Sequence, residues 1–207
     1  MFFEIKQRLF FLQRDLANRI RYGKTAPRFG EQIFLRASDC NTFLISGLNR
    51  KDSGCVMDGN WDLSLSPITD HPKYRYCFSH WVDGLSWKEA GAYDFLMSKI
   101  LESGNPVDEC LTEQDVIERY DRLDRMFDQV STTGRLYSQK EINPDNFRET
   151  GGVYVHVDRN NAPIFGGGGM HRFAVSKILN LPSIPAQLGV VHKNAINDWV
   201  TYKAIPE

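Results

Sequence analysis

Four consecutive glycines, Gly166–Gly169, stand between the apolar "PIF" of residues 163–165 and the helix-forming run "MHRFAVSKILN". Glycine loses more backbone freedom on folding than any other residue, so such a run implies a need for positive φ or very close backbone approach. A strand, a glycine turn and a helix also make a concave anion site. The turn lets backbone N–H groups approach a ligand, and the helix start leaves its first donors unpaired.

The flanking residues extend the pattern. In "GVYVHVDR", Val153, Val155 and Val157 alternate with Tyr154, His156 and Asp158, which predicts a strand. "DRNNA" reads as a turn in which Asp158 is a cap or a ribose contact, and "PIF" as a second short strand. A helix from His171 to about Asn180 follows, and then a third strand, "SIPAQLGVVH". Arg172 falls in the first helical turn, where a cation opposes the helix dipole but can grip a phosphate bidentately. His171 beside it can donate to a phosphate or exchange protons near neutral pH. The GxxxxGK[ST] and GxGxxG phosphate motifs are both absent. On spacing alone, a tight turn with a surface arginine is an equally good reading.

The stretch "GGVYVHVDRNNAPIFGGGGMHRFAVSKILNLPSIPAQLGVVH" resembles the core of the ParB/sulfiredoxin superfamily, over residues of about 141–192. "FGGGGMHRFA" is similar to the sulfiredoxin phosphate loop, FGGCHR. The remainder resembles uncharacterised bacterial proteins that carry such a domain late in the chain. The resemblance implies a small mixed sheet with helices. It implies that Gly167, Gly168, Gly169, Met170, His171 and Arg172 bind the phosphates of ATP or CTP with Mg²⁺, Ala174 packing the helix on the sheet. Two residues depart from the pattern: Met170 stands where sulfiredoxin has its reactive cysteine, and Gly168 where many relatives have an acid. A thioether cannot replace a thiolate nucleophile, which disfavours sulfinic acid repair. An arginine-rich partition box and a following helix-turn-helix are missing, which disfavours chromosome partition. The resemblance then implies a Mg²⁺-dependent phosphotransferase (kinase) or NTPase acting on an unknown small-molecule or glycan acceptor. A nucleotide or phospho-ligand sensor without catalysis and a DNA-binding or nuclease module are the alternatives. Glu141, in a "KEIN" read as a strand leading into the core, and His171 are the candidate catalytic residues; Glu149 is a second acid on the same entry segment.

The expected fold class is α+β, with a helical and irregular region over 1–135 and the nucleotide-binding core over 136–207. The first helix, "FFEIKQRLFFLQRDLANRIRYGK", repeats Phe2, Ile5, Leu9, Leu12, Leu16 and Ile20 at helical steps. That spacing predicts a face docked on the domain. Arg8, Arg14, Arg19, Arg21 and Lys24, with Phe3, Phe10 and Phe11 widening the apolar face, keep a membrane-surface or protein-partner helix as the alternative. A strand is expected over Glu31–Arg36, followed by a long irregular stretch from Asp39 to Leu85. Ser86 with Glu89 forms a capping box for a helix ending at Gly104. Thr112 caps another, whose buried face is Val116, Tyr120, Leu123, Phe127 and Val130.

Net charge is −1, so no global basic field holds nucleic acid, and the Lys73/Arg75 pair with its tyrosines is weak evidence for it. The four cysteines form no CxxC pair and read as reduced thiols of a cytoplasmic protein. No run approaches ~18 apolar residues, and the N-terminus has no secretory pattern. No metal site is expected. "DGNWD", residues 58–62, lacks the distant glutamate of a calcium loop, and His71, His80 and His192 lack zinc spacing. Trp61 and Trp87 read as core residues.

Overall fold

The computed structural model describes residues 2–45 and 47–205, with side chains described from residue 9 onward. Phe2, Phe3, Ile5 and Arg8 of the first helix therefore lie outside the described side chains. Among the described residues, α-helices and one mixed seven-stranded sheet make an α+β fold.

The long central strand is β7 (Ile184–His192), buried along its whole length. It pairs in parallel with β5 (Val153–Val157), Val153 opposite Ala186 and Val157 opposite Val191. The "DRNNA" turn returns β5 into antiparallel β6 (Pro163–Phe165). There Asp158 accepts the amides of Asn160 and Ala162, and Asn161 sits at φ 61°. So far the sheet follows the alternation in the sequence.

The remaining strands come from the other side of the 135/136 boundary. β1 (Gln32–Leu35) pairs antiparallel with β7, and β3 (Val56–Met57) pairs with the far end of β7. β2 (Thr42–Leu44) lies beside β6 through Phe43 and Phe165, and β4 (Leu65–Pro67) follows β2. One hydrophobic cluster joins Ile33 and Leu35 of β1 to Val155, Phe173 and Leu188. The C-terminal stretch thus completes its sheet with strands from the first third of the chain.

β5 is buried on both faces, as a central strand covered on both sides should be. Val153, Val155 and Val157 enter the main core with the helical layer. Tyr154 and His156 point the other way, under the segment that carries Asn49 and Trp61. The helical layer consists of α2 (Pro72–Trp81), α3 (Ala92–Ser103) and α4 (Glu113–Thr133), packed around α6 (Met170–Ile178). α4 follows its expected cap and face: Thr112 and Asp115 form the reciprocal capping box, and Val116, Tyr120 and Val130 are buried. α2 falls in the stretch read as irregular. Pro72 starts it at a position where proline is favoured, and Tyr74, Tyr76 and Cys77 are buried. The Ser86–Glu89 box closes a separate turn, and α3 begins only after Gly91 at φ 80°.

Two further expectations are corrected. Residues 139–142 form a short helix, α5 (Gln139–Ile142), and not a strand, because Ser138 caps it and Glu141 answers as the reciprocal box residue. The first helix, α1 (Phe2–Tyr22), docks by the face opposite the expected one. Leu9, Leu12, Leu16 and Ile20 are 46–79% exposed. Phe11 and Asp15 are buried instead, Phe11 stacked on Phe29 with ring centroids 3.4 Å apart. Asp15 accepts the Phe29 amide at 2.8 Å and pairs with Arg148 at 2.7 Å. Asn18 donates to the carbonyls of Pro27 and Gly54. Directional hydrogen bonds decided the docking face, and hydrophobic spacing does not report them. No helix among the described residues is long and apolar enough to cross a membrane.

Candidate functional site

Close packing requires glycine at Gly166 and Gly169, and backbone conformation at Gly167 and Gly169. Gly167 and Gly169 have φ of 88° and 71°, which side chains rarely adopt. A Cβ at Gly166 would lie 2.6 Å from His156 Nε2, and one at Gly169 would lie 2.9 Å from the Gly152 carbonyl oxygen. Gly166 donates to the Tyr154 carbonyl, and the Gly168 carbonyl accepts the Tyr154 amide, so the loop is laced to β5. It then opens into α6 with Gly169 as N-cap and no side chain covering the first turn. The first intrahelical bond runs from Phe173 to Gly169, so the amides of Met170, His171 and Arg172 are the unpaired donors of this helix start.

Gly168 identifies a residue that sequence reasoning missed. A Cβ there would meet the guanidinium of Arg50, 2.5 Å from Nη2 and within 3 Å of Cζ and Nε. Arg50 is exposed, and its guanidinium lies over Gly168. It is held by a turn whose Asn49 and Asp52 form their own capping box. The Tyr154 hydroxyl donates to the Asn49 carbonyl and ties that turn to β5. "NRKD" carries a visible turn signature, but nothing local in it announces a partner so distant in sequence.

The expected site residues separate. Met170 is buried in the core, leaving its amide for the loop. His171 turns into the helical layer, where its Nε2 lies 2.7 Å from the Tyr76 hydroxyl. Burial, reinforced by Lys73 and Arg119, pushes its pKa down to about 3, so its ring is neutral near pH 7. Arg172 donates to the Tyr137 carbonyl, while its buried Nε has no partner. Burial lowers its pKa, opposed by the charge of Glu149. Glu149 is fully buried behind the loop and accepts the Gln139 amide with both oxygens. Burial raises its pKa, opposed by that hydrogen bond and by Arg172. Glu141 lies outside this pair, accepting the Ser138 amide and pairing with Arg135. Gly167 is exposed and Gly168 is buried beneath Arg50 at the start of α6, while His171, Arg172 and Glu149 belong to the packing around the loop and Glu141 is exposed apart from it.

A second polar cluster covers the Tyr154–His156 face of β5. His156 is fully buried, accepts the Val190 amide at Nδ1, and leaves Nε2 without a partner against Gly166. Burial pushes its pKa down to about 3. Trp61 packs on both His156 and His192. The "DGNWD" acids are held by cations: Arg159 grips buried Asp62, lowering its pKa to about 2, and Lys193 pairs with Asp58. Among the described residues, no group of three or more His, Cys, Asp or Glu side chains is arranged to hold a metal ion.

The residues fit a phosphate: glycine backbone for close approach, helix amides and one exposed guanidinium. Among the described residues no group of three carboxylates or other ligands is arranged there for Mg²⁺: Glu149 is enclosed, and Asp52 uses Oδ2 on the Asn49 amide. No chemical step is therefore assigned through the metal. The chain matches no family model, and no curated protein or solved structure is significantly similar to it.

Proposed function

We propose that this protein binds the phosphate of a nucleotide or a related phospho-ligand on the loop Gly166–Gly169, with the amides at the start of α6 and the guanidinium of Arg50 as donors. The observation that carries the reading is Arg50 itself. A cation lies in the space a Cβ at Gly168 would fill, on a helix N-terminus with no side-chain cap. The likeness of "FGGGGMHRFA" to a phosphate loop adds to this and makes ATP or CTP the first ligands to test.

Binding without turnover is favoured over phosphoryl transfer. A kinase or NTPase needs a base or water-positioning group and carboxylate-held Mg²⁺ at the transferred phosphate. His171 is bonded to Tyr76 in the interior, and Glu141 is engaged with Ser138 and Arg135. Under this reading His171 and Arg172 position the loop from behind.

Calorimetry with ATP, CTP and inorganic phosphate, with and without Mg²⁺, tests the assignment. Arg50→Gln should weaken nucleotide binding by roughly ten- to a hundredfold, the effect of losing one charge-assisted contact, and leave the fold intact. Unchanged affinity in Arg50→Gln, or no affinity in the parent protein, would overturn it. Phosphate release or transfer from bound ATP would instead favour the enzymatic reading. Arg172→Ala is a poorer probe, since it strips a half-buried residue, bonded to the Tyr137 carbonyl, from the support of the loop.

A further inference from the structure

We propose that α1, together with the basic groove beside it, docks this protein on an anionic lipid surface. The helix is fixed to the domain by one face only. Asp15, Asn18 and Arg14 bond the backbone of segments 27–29 and 51–55, and Phe11 stacks on Phe29. At about 100° per residue, Leu9, Leu12, Leu16 and Ile20 form a narrow stripe on the opposite side. All four are exposed, as is Phe10 on the flank between the stripe and the clamped face. The polar clamp turns this apolar stripe outward, and no described part of the chain covers it.

Charge complementarity selects the occupant. Leu12 and Leu16 form one edge of a groove of about 410 Å³ whose walls carry Arg19, Lys24, Arg28, Arg148 and Lys203. Its single carboxylate, Asp15, is already paired with Arg148. Arg28, Arg148 and Lys203 also line the adjoining groove of about 580 Å³, together with Lys140 and the acids Asp145 and Glu31, the last paired with Arg28 and Lys203. An apolar stripe with cations alongside is the arrangement of a helix lying in the plane of a membrane interface: leucines enter the acyl boundary and cations meet the headgroups. A second copy of this chain would bring the same cations to the same seam and repel itself. Arg148 is paired with Asp15, and Arg28 and Lys203 with Glu31, so Arg19 and Lys24 are the cations beside the stripe that headgroups would meet, and a neutral apolar partner supplies them nothing.

The test is co-flotation of the full chain with vesicles of pure phosphatidylcholine and of phosphatidylcholine mixed with phosphatidylserine. Binding should be confined to the anionic vesicles and fall as salt rises. Leu12→Ser with Leu16→Ser should weaken it on the order of tenfold or more. Arg19→Gln with Lys24→Gln should weaken it several-fold and flatten the salt dependence. All four positions lie on the outward side of α1 or beyond its end, and circular dichroism confirms that each variant folds. Absence of binding, or equal binding to both vesicle types, overturns the proposal. So does a dimer in sedimentation velocity that the double serine variant abolishes, since the stripe would then belong to a second copy. No nucleotide enters the experiment, so its outcome is independent of the glycine loop.

Discussion

Helices α1 and α6 carry apolar residues at the same kind of spacing, yet they are attached to the domain in opposite ways. α6 buries Phe173, Ala174 and Val175, and of its large polar residues that turn inward His171 finds Tyr76 and Arg172 the Tyr137 carbonyl. α1 buries an aspartate beside one phenylalanine and presents its leucines to solvent. Apolar periodicity reports that a helix forms and that one face prefers to leave water. It does not report what covers that face. For α6 the cover is the sheet and helical layer of its own chain. For α1 a set of directional polar contacts has fixed the other face first.

Acid provides the largest break between the two. His171 and His156 have folded-state pKa values near 3, pushed down chiefly by burial from about 6.5. Their unfolded forms take up protons below about pH 6.5 while the folded forms do not. Stability is therefore unaffected above that pH and lost as pH falls toward 3, by roughly 1.4 kcal/mol per pH unit for each histidine. Asp62, lowered to about 2 by Arg159, adds its loss only below about pH 4. Urea melts from pH 7 to pH 4 should show a steep decline that His171→Gln makes shallower. An unchanged slope would remove His171 from the account.

Next in size is the contrast along α1. Phe11→Ala should cost about 2–3 kcal/mol and release the helix, whereas Leu16→Ser should stay within about 0.5 kcal/mol. If Leu16→Ser is the costlier change, the helix is docked by its leucines and the polar clamp is wrong. The loop itself can be divided in the same manner. Gly169→Ala meets both a positive φ and backbone at 2.9 Å, and should cost roughly 2–3 kcal/mol. Gly167→Ala meets the φ alone, with nothing within 4 Å of the added carbon, and should cost about 1 kcal/mol. Equal losses would mean that close packing does not shape the loop. Arg50→Gln is the smallest expected change in stability, within about 0.5 kcal/mol, because the side chain is exposed.

These contrasts mark what the sequence disclosed. The alternation of β5, the hairpin turn at Asp158, the glycine-capped start of α6 and the Thr112 cap are local signals, and they were legible. Strand pairing is not local. Nothing in "NRKD" or "CVM" indicates that Arg50 covers Gly168 or that β3 extends the sheet beside β7, so the N-terminal contribution to the core was missed. α2 was hidden because its tyrosines and cationic residues blur the helical period. "KEIN" alone resembles a strand, and it is the capping box of Ser138 with Glu141, three residues apart, that makes it a helix. The candidate site suffered most from direction: the sequence places His171 and Arg172 next to the glycines, but only packing decides that both turn inward while Arg50 stays outside.

The central claim is that the glycine loop is a phosphate site. Its most direct test is a ¹H–¹⁵N correlation spectrum titrated with ATP, CTP and inorganic phosphate. The account predicts saturable shifts at the amides of Gly167, Gly168, Gly169 and Met170, lost in Arg50→Gln, with the amides of α1 unmoved. Shifts elsewhere with the four loop amides unchanged would contradict it.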